Sequence, residues 1–349
     1  MKVHKCIFER IVSLENLFLA WEEFKKGKSS RQDVQEFEWK LEQNIFFLYR
    51  DLRSHEYKHG PYEGFMICDP KQRQIHKASV RDRVLHHAVF KILNPIFEPT
   101  FIAHSFSCRE GKGTHKAVDA LETFLRKTSR NYRLQCFALK CDIHRFFASV
   151  DHAILLSILG KTIKDADALW LLREIVESFG ISGCPDDDCK GIPIGNLTSQ
   201  LFANLYMNEF DQFMKQQLKV KQYVRYTDDF IMVAAHKSDL EKLLPPMRDF
   251  LRERLRLSLH PQKIILRKFG QGIDFLGYVV LPHYRALRTR TKKRMFRKLK
   301  LRAVSFKAGT GSESSVESSL QSYLGVLSHA NTNQFSEQLK NQYWFWMHE

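Results

Sequence analysis

The chain predicts an α+β fold. Amphipathic helical patterns dominate both ends, a compact apolar run and a two-run hairpin sit between them, and the strands do not alternate regularly with helices as a doubly wound sheet requires. With 349 residues there is room for a sizeable core in one large domain or two to three smaller ones.

In chain order, residues 7–55 are dense in Phe, Leu, Trp and charge at helical spacing. From Val80 a run of the same period is expected to close at Pro95 and Pro99. Residues 136–143, CFALKCDI, are apolar and non-periodic, which suits a buried strand. A helix is expected after Asp151, a capping residue, and a long one from Leu197. The segment KQYVRYTDDFIMVAA then reads as two strands around an acidic turn at Thr227-Asp228-Asp229. FLGYVVLP from Phe275 reads as one more strand. Between Arg285 and Lys307, eleven Lys/Arg occur without an acid, and Met295, Phe296 and Leu299 give helical spacing. Residues 308–319, AGTGSESSVESS, have the composition of a flexible linker, and SLQSYLGVLSHAN reads as a last helix.

Composition narrows the function. Hydrophobic residues make up 44% and aromatics 12%, which excludes a disordered chain. No stretch approaches the roughly 20 apolar residues of a membrane span, and Glu9 and Glu15 interrupt any signal-peptide pattern. Seven cysteines without a secretory signal predict a reduced, cytoplasmic compartment. Cys184 and Cys189 match no common zinc spacing and read as loop residues. The net charge of +16 points to a polyanionic partner, nucleic acid before a membrane surface.

The chemistry concentrates in acids set into apolar strands: Asp142 in LKCDIHRFF, and Asp228-Asp229 in RYTDDF. Such acids are expensive to bury unless a cation sits on them. Carboxylates on neighbouring strands can hold two Mg²⁺ ions ~3.5–4 Å apart, an arrangement suited to in-line phosphoryl transfer. The plainer alternative is a strand-end acid and a polar turn.

Taken together, the motifs resemble those of reverse transcriptases. Tyr226-Thr227-Asp228-Asp229 is similar to the YxDD box. Asp142-Ile143-His144-Arg145-Phe146-Phe147, followed by Ser149-Val150-Asp151-His152, resembles the first catalytic motif. The run from Gly191 to Gln200, GIPIGNLTSQ, resembles the loop and helix over the nascent base pair. His260-Pro261-Gln262-Lys263 and Phe275-Leu276-Gly277-Tyr278 fall where the family has its lysine motif and primer grip.

That resemblance, over roughly residues 60–335, implies a right-hand polymerase. An N-terminal helical extension would occupy 1–60 and the fingers 61–135. A palm with an antiparallel sheet would follow at 136–283, with a fingers insertion at about 153–190, and a helical thumb at 284–349. It implies metal ligation by Asp142, the Ile143 carbonyl, Asp228 and Asp229, with two Mg²⁺ as cofactors and Mn²⁺ as a substitute. Lys263 would protonate the leaving pyrophosphate, unless it is simply solvent-exposed. Lys71 and Arg73 would grip the dNTP triphosphate, with Arg109 as a further phosphate or template contact. Phe147 would be the ring that rejects a ribose 2′-OH, and Phe146 core. Ile194 and Gly195 would line the nucleotide site. Phe275, Leu276 and Gly277 would seat the primer, and Arg290, Lys293 and Arg297 would follow duplex phosphates. The implied partners are template RNA, the RNA/cDNA duplex, dNTPs, and an accessory protein or structured non-coding RNA. The first 60 residues would help to bind template or accessory protein.

Most of the family has Gln where this chain has Ile194. With IGNLTSQ and SYLGVLSHAN, that departure resembles reverse transcriptases of diversity-generating retroelements, in which it goes with error-prone copying of template adenines. The shortness of the chain beyond the thumb argues against a self-contained mobile intron protein. The alternatives are an antiviral defence reverse transcriptase and a non-catalytic RNA-binding protein on the same fold.

Overall fold

A computed structural model describes residues 4–68, 72–180 and 190–348. The first helical stretch forms α1 (Phe8–Val12), α2 (Leu14–Lys25), α3 (Gln32–Trp39) and α4 (Leu41–Arg53). Their apolar faces bury Leu17, Trp21, Phe24 and Leu48 completely or nearly so, each such side chain contributing about 1.5–3 kcal/mol. An antiparallel hairpin follows, β1 (Glu63–Ile67) with β2 (Arg73–Lys77). Next comes α5 (Val80–Phe97), which runs through Pro95 rather than ending there. Proline removes only its own N–H from the ladder, and Glu98 N–H still reaches the Asn94 carbonyl beyond it.

After α6 (Thr114–Thr128), the chain lays down β3 (Phe137–Asp142), α7 (Phe146–Ser149), α8 (His152–Thr162), α9 (Ala166–Glu177) and α10 (Leu197–Gln212). Asp151 caps α8 as expected, accepting Ile154 N–H at 3.0 Å. Then come β4 (Tyr223–Tyr226), β5 (Asp229–Ala234), α11 (Lys237–Glu241), α12 (Leu244–Leu255) and β6 (Ile265–Lys268). These strands make an antiparallel sheet in the order β4-β5-β3-β6. Side chains alternate across it. Leu139, Cys141, Phe230 and Met232 join a core shared with the N-terminal helices, α5, α8, α9 and α10. Ala138, Ile231 and Val233 join a second core on the opposite face.

That second core is completed by β7 (Ile273–Phe275), β8 (Tyr278–Leu281), β9 (Tyr284–Leu287), α13 (Thr289–Lys307), α14 (Glu313–Leu327) and α15 (Asn333–His348). Three expectations change here. The single strand from Phe275 is a hairpin, because Leu276 and Gly277 both take positive φ, +48° and +94°, as a tight two-residue turn demands. The linker over 308–319 shrinks to a short turn. Ser312 caps α14 through Ser315 N–H, and Val316 and Leu320 bury on its inner face, so apolar spacing overrides a serine-rich composition. The chain also continues into α15, where Leu339 is buried and Phe335 and Trp346 meet the Phe296 ring edge-on. Among the described residues no helix is long and apolar enough to cross a membrane. Cys184 and Cys189 lie outside the described residues.

Candidate active site

Asp142 ends β3 and pairs directly with Asp229, the first residue of β5. Asp228 sits one residue earlier, in the turn between β4 and β5, and its carbonyl accepts Ile143 N–H at 3.2 Å. The three acids and the Ile143 backbone therefore meet at one end of the sheet. Burial is the first reason that the Asp228 carboxyl titrates above its ordinary value, and the neighbouring Asp142 charge is the second. Burial likewise pushes Asp229 up to about 6, against the pull of Lys140. Lys263 donates to Asp142 Oδ1 at 2.7 Å, and Lys140 lies 3.1 Å from Asp229 Oδ2.

The turn is held from beneath. Thr227 has φ +56°, an unusual conformation for a β-branched residue. Its carbonyl accepts from Arg225 Nη1 at 2.9 Å and its hydroxyl donates to Ser107 Oγ at 2.6 Å. Arg225 is wholly buried and forks onto Asp211, also wholly buried, with its closest contact at 2.6 Å. Tyr223 OH donates to the same carboxylate at 2.7 Å. An arginine inside the apolar strand YVRY requires an acid, but nothing in the sequence says which. Arg225, Asp211 and Ser107 were missed for that reason, as was Lys140.

The other expected residues divide clearly. Arg73 opens β2, is exposed, and its positive charge favours ionisation of Asp228, so the hairpin brings it towards the acids. Lys71 lies outside the described residues. Phe146 is 2% exposed and belongs to the core, whereas Phe147 is half-buried, with its carbonyl accepting Ile192 N–H at 2.8 Å. The Ile194 carbonyl accepts His76 N–H at 3.0 Å, tying this loop to β2. Gly195 has φ +117°, and a Cβ there would lie 2.8 Å from Ile75 Cγ2. Only glycine lets the loop come so close to the hairpin.

Arg109 is a correction. Its guanidinium is turned inward, paired with Glu98 at 2.7 Å and donating to the carbonyls of Ile102 and Ser105. A side chain so fully engaged braces its own loop rather than meeting a phosphate. Phe275 is fully buried, which leaves Leu276 and Gly277, in the turn, as the part of that motif outside the core. Arg290, Lys293 and Arg297 are exposed along one face of α13, opposite buried Met295 and Leu299. The cationic run divides, however. Arg285 is buried and paired with Asp119 and Glu122, and Arg288 is paired with Asp274.

Among the described residues no three His, Cys, Asp or Glu side chains gather as a closed metal centre requires. Two carboxylates with a backbone carbonyl instead fit an open Mg²⁺ site, in which substrate phosphate oxygens supply further ligands. The fit rests on buried acids in excess of their cations: Asp229 Oδ1 is buried without a hydrogen-bond partner, and Lys263 already stands on Asp142.

This acid-bearing antiparallel sheet, flanked by a fingers hairpin and a helical thumb, is the palm of a right-hand polymerase. Residues 62–280 match the model of the reverse transcriptase (RNA-dependent DNA polymerase) family, and the chain belongs to that family. Among curated proteins it is 24% identical over 241 residues to Protein YkfC of Escherichia coli, covering 60% of this chain and 63% of that one. It is 22% identical over 303 residues to the group II intron-encoded protein LtrA of Lactococcus lactis, covering 68% of this chain and 49% of that one. The chain thus spans about half to just under two-thirds of the length of these relatives. A telomerase structure from Candida albicans overlays with a TM-score of 0.49 at 12% identity, over 70% of this chain and 50% of that one.

Proposed function

We propose that this protein is an RNA-directed DNA polymerase that extends a primer on an RNA template with dNTPs. The observation that carries this reading is the convergence of Asp142 and Asp228 at one end of the paired strands β3 and β5, where Ile143 N–H donates to the Asp228 carbonyl. Asp142 and Asp228, with the Ile143 carbonyl, would hold two Mg²⁺ ions, and Asp229 would sit beside them, drawn to Lys140. When bound, the ions would lower the pKa of the primer 3′-OH and neutralise charge on the departing pyrophosphate.

The remaining work falls to the chain's own groups. Arg73 and Lys71 would clasp the triphosphate from the fingers hairpin. Phe147 would stand where a ribose 2′-OH would otherwise fit. Lys263, close to Asp142, would deliver a proton to the pyrophosphate oxygen. Leu276-Gly277 would support the primer terminus, and Arg290, Lys293 and Arg297 would run along the duplex backbone. We place the fingers at 61–135, the palm at 136–283 and the thumb at 284–349.

The finer reading is a reverse transcriptase of a diversity-generating retroelement, supported by Ile194. An aliphatic side chain there makes none of the hydrogen bonds that Gln would offer nucleotide or template. The names of the intron-encoded relatives favour a second reading, a role with an intron RNA. Primer extension with Mg²⁺ and dNTPs on a defined RNA template, sequenced beside Asp228→Ala, tests both levels. DNA product lost in the variant supports the polymerase. Errors concentrated opposite template adenines support the retroelement reading, and faithful product removes it. Product that persists in Asp228→Ala overturns the site assignment.

A further inference from the structure

We propose that Lys140 is a positioning residue that ties Asp229 to the β7–β8 hairpin, so that the setting of the catalytic turn and the seating of the primer turn are one coupled arrangement. This inference rests on the polymerase reading for its consequence in catalysis, but the physical tie stands apart from it.

The argument starts with an anomaly. Lys140 lies near the middle of β3 between Leu139 and Cys141, both buried, and its own side chain is 17% exposed. A lysine in such a strand is costly unless its donors are engaged. Strand alternation puts Lys140 on the same face as Asp142. Asp142 pairs with Asp229 and Lys140 with Ile231, so Lys140 and Asp229 are diagonal neighbours across the β3–β5 ladder. The ammonium lies 3.1 Å from Asp229 Oδ2.

The same nitrogen also leaves its own sheet. It donates to the Asp274 carbonyl of β7 at 3.2 Å and lies 5.9 Å from the centre of the Phe275 ring, within reach of a cation–π contact. β7 belongs to the separate sheet β7-β8-β9. Lys140 therefore bridges the sheet that carries the acids and the hairpin whose turn is Leu276-Gly277. The tie extends to the base of the thumb: the Asp274 carboxylate pairs with Arg288, and Arg288 N–H donates to the Gly277 carbonyl at 3.0 Å, immediately before α13.

A compact ammonium suits this junction because its three N–H donors can serve several acceptors at once. Methionine would keep the length and lose every donor. Arginine would keep the charge and several donors. Asn at position 229 would keep the shape of the carboxylate and remove the charge that draws Lys140 to it.

The experiment uses the full chain as wild type, Lys140→Met, Lys140→Arg and Asp229→Asn. Two readouts are taken: single-nucleotide primer extension on an RNA template, and hydrogen exchange of the 273–279 backbone amides without nucleic acid. In Lys140→Met we expect a kcat about 10-fold or more below wild type and a KM for primer–template at least threefold higher, with the KM for dNTP within about threefold. Lys140→Arg should restore most of the loss. Exchange at 273–279 should quicken in both Lys140→Met and Asp229→Asn, the latter being a change on the other sheet whose contact with the hairpin is through Lys140, with a longer-range pull on Arg288.

Unchanged exchange in both variants overturns the tie, whatever happens to kcat. A quickening in Lys140→Met alone overturns the link to Asp229. Normal extension by Lys140→Met overturns the catalytic consequence. An inactive wild type whose exchange responds in both variants leaves the tie intact and removes the polymerase reading, so the two failures are distinct. If Lys140→Met does not fold, Lys140→Arg and Asp229→Asn still give the exchange comparison.

Discussion

The Arg225–Asp211 pair separates what stabilises this fold from what makes its site work. Both side chains are fully buried, and Arg225 also donates to Ser105 Oγ at 3.0 Å and to the Thr227 carbonyl at 2.9 Å. Replacing Asp211 by Ala strands a guanidinium in the interior and unpairs Tyr223 OH. Breaking a buried pair from one side costs about 3–5 kcal/mol, a large share of the roughly 5–15 kcal/mol that holds a domain folded. The double replacement Asp211→Leu with Arg225→Met removes both charges and keeps apolar volume. It should recover stability to within about 2 kcal/mol of wild type, because matched apolar groups often replace a buried ion pair without loss. Activity should not return with it, since nothing then holds the Thr227 carbonyl and the turn carrying Asp228 relaxes from its positive φ. Urea unfolding of the three proteins, with single-turnover primer extension, reads both quantities. A cost below about 1 kcal/mol for Asp211→Ala would refute the stability argument. Recovered extension in the double variant would refute the positioning argument.

Three further outcomes follow from the same geometry. Phe147→Ala should raise rNTP incorporation relative to dNTP by about 10-fold or more in competition assays, whereas Phe146→Ala, cut from the core, should lower stability by about 3–5 kcal/mol. In metal-free buffer, Asp229 holds its proton up to about pH 6 in the folded chain but only to the ordinary carboxylate value when unfolded. The protein should therefore lose stability as pH rises between about 4 and 6. Because burial also holds the Asp228 carboxyl above its ordinary value, Asp228→Asn should melt higher than wild type at neutral pH, with Mg²⁺ narrowing the gap. Replacing Arg290, Lys293 and Arg297 together by Ala should weaken duplex binding evenly across sequences. The slope of log affinity against log salt should fall by roughly one for each phosphate no longer neutralised.

The elements of the candidate site were legible because their signals are local. An acid between apolar strand residues, an aromatic five positions after Asp142 and a glycine after Ile194 all sit within short segments. The hairpin was readable from two β-rich runs around an acidic turn, though not its register, in which Asp229 leaves the turn to pair with Tyr226. What was not legible depends on partners distant in sequence. Arg109 and Arg290 look equally cationic, yet one meets Glu98 and the other faces solvent, and only the fold decides. Arg225 and Lys140 could be suspected from charge inside an apolar strand, but their acceptors, Asp211 and the Asp274 carbonyl, lie on other elements. The stretch 308–319 failed differently: serine composition masked Val316, which is buried and needs packing from α13 to matter.

The acids explain why so much of the palm is given to restraint. Asp228 and Asp229 are both pushed towards protonation, first by burial and then by neighbouring carboxylates, so the site opposes the folding of the metal-free chain. The counter-charges are arranged unevenly. Lys263 reaches Asp142 and Lys140 reaches Asp229, while among the described residues Asp228 takes a backbone hydrogen bond and longer-range support from Lys263 and Arg73. The carboxylate at the head of the turn is thus the one left most in need of a cation, and the turn that carries it is the one fastened from below by Arg225 and Ser107. On the proposed two-ion reading, acids that repel one another until ions arrive would not hold the shape of the site by their own electrostatics. The rigidity has to come from a buried ion pair that takes no part in the chemistry, and destabilisation at the acids is tolerated because stability is supplied a few residues away.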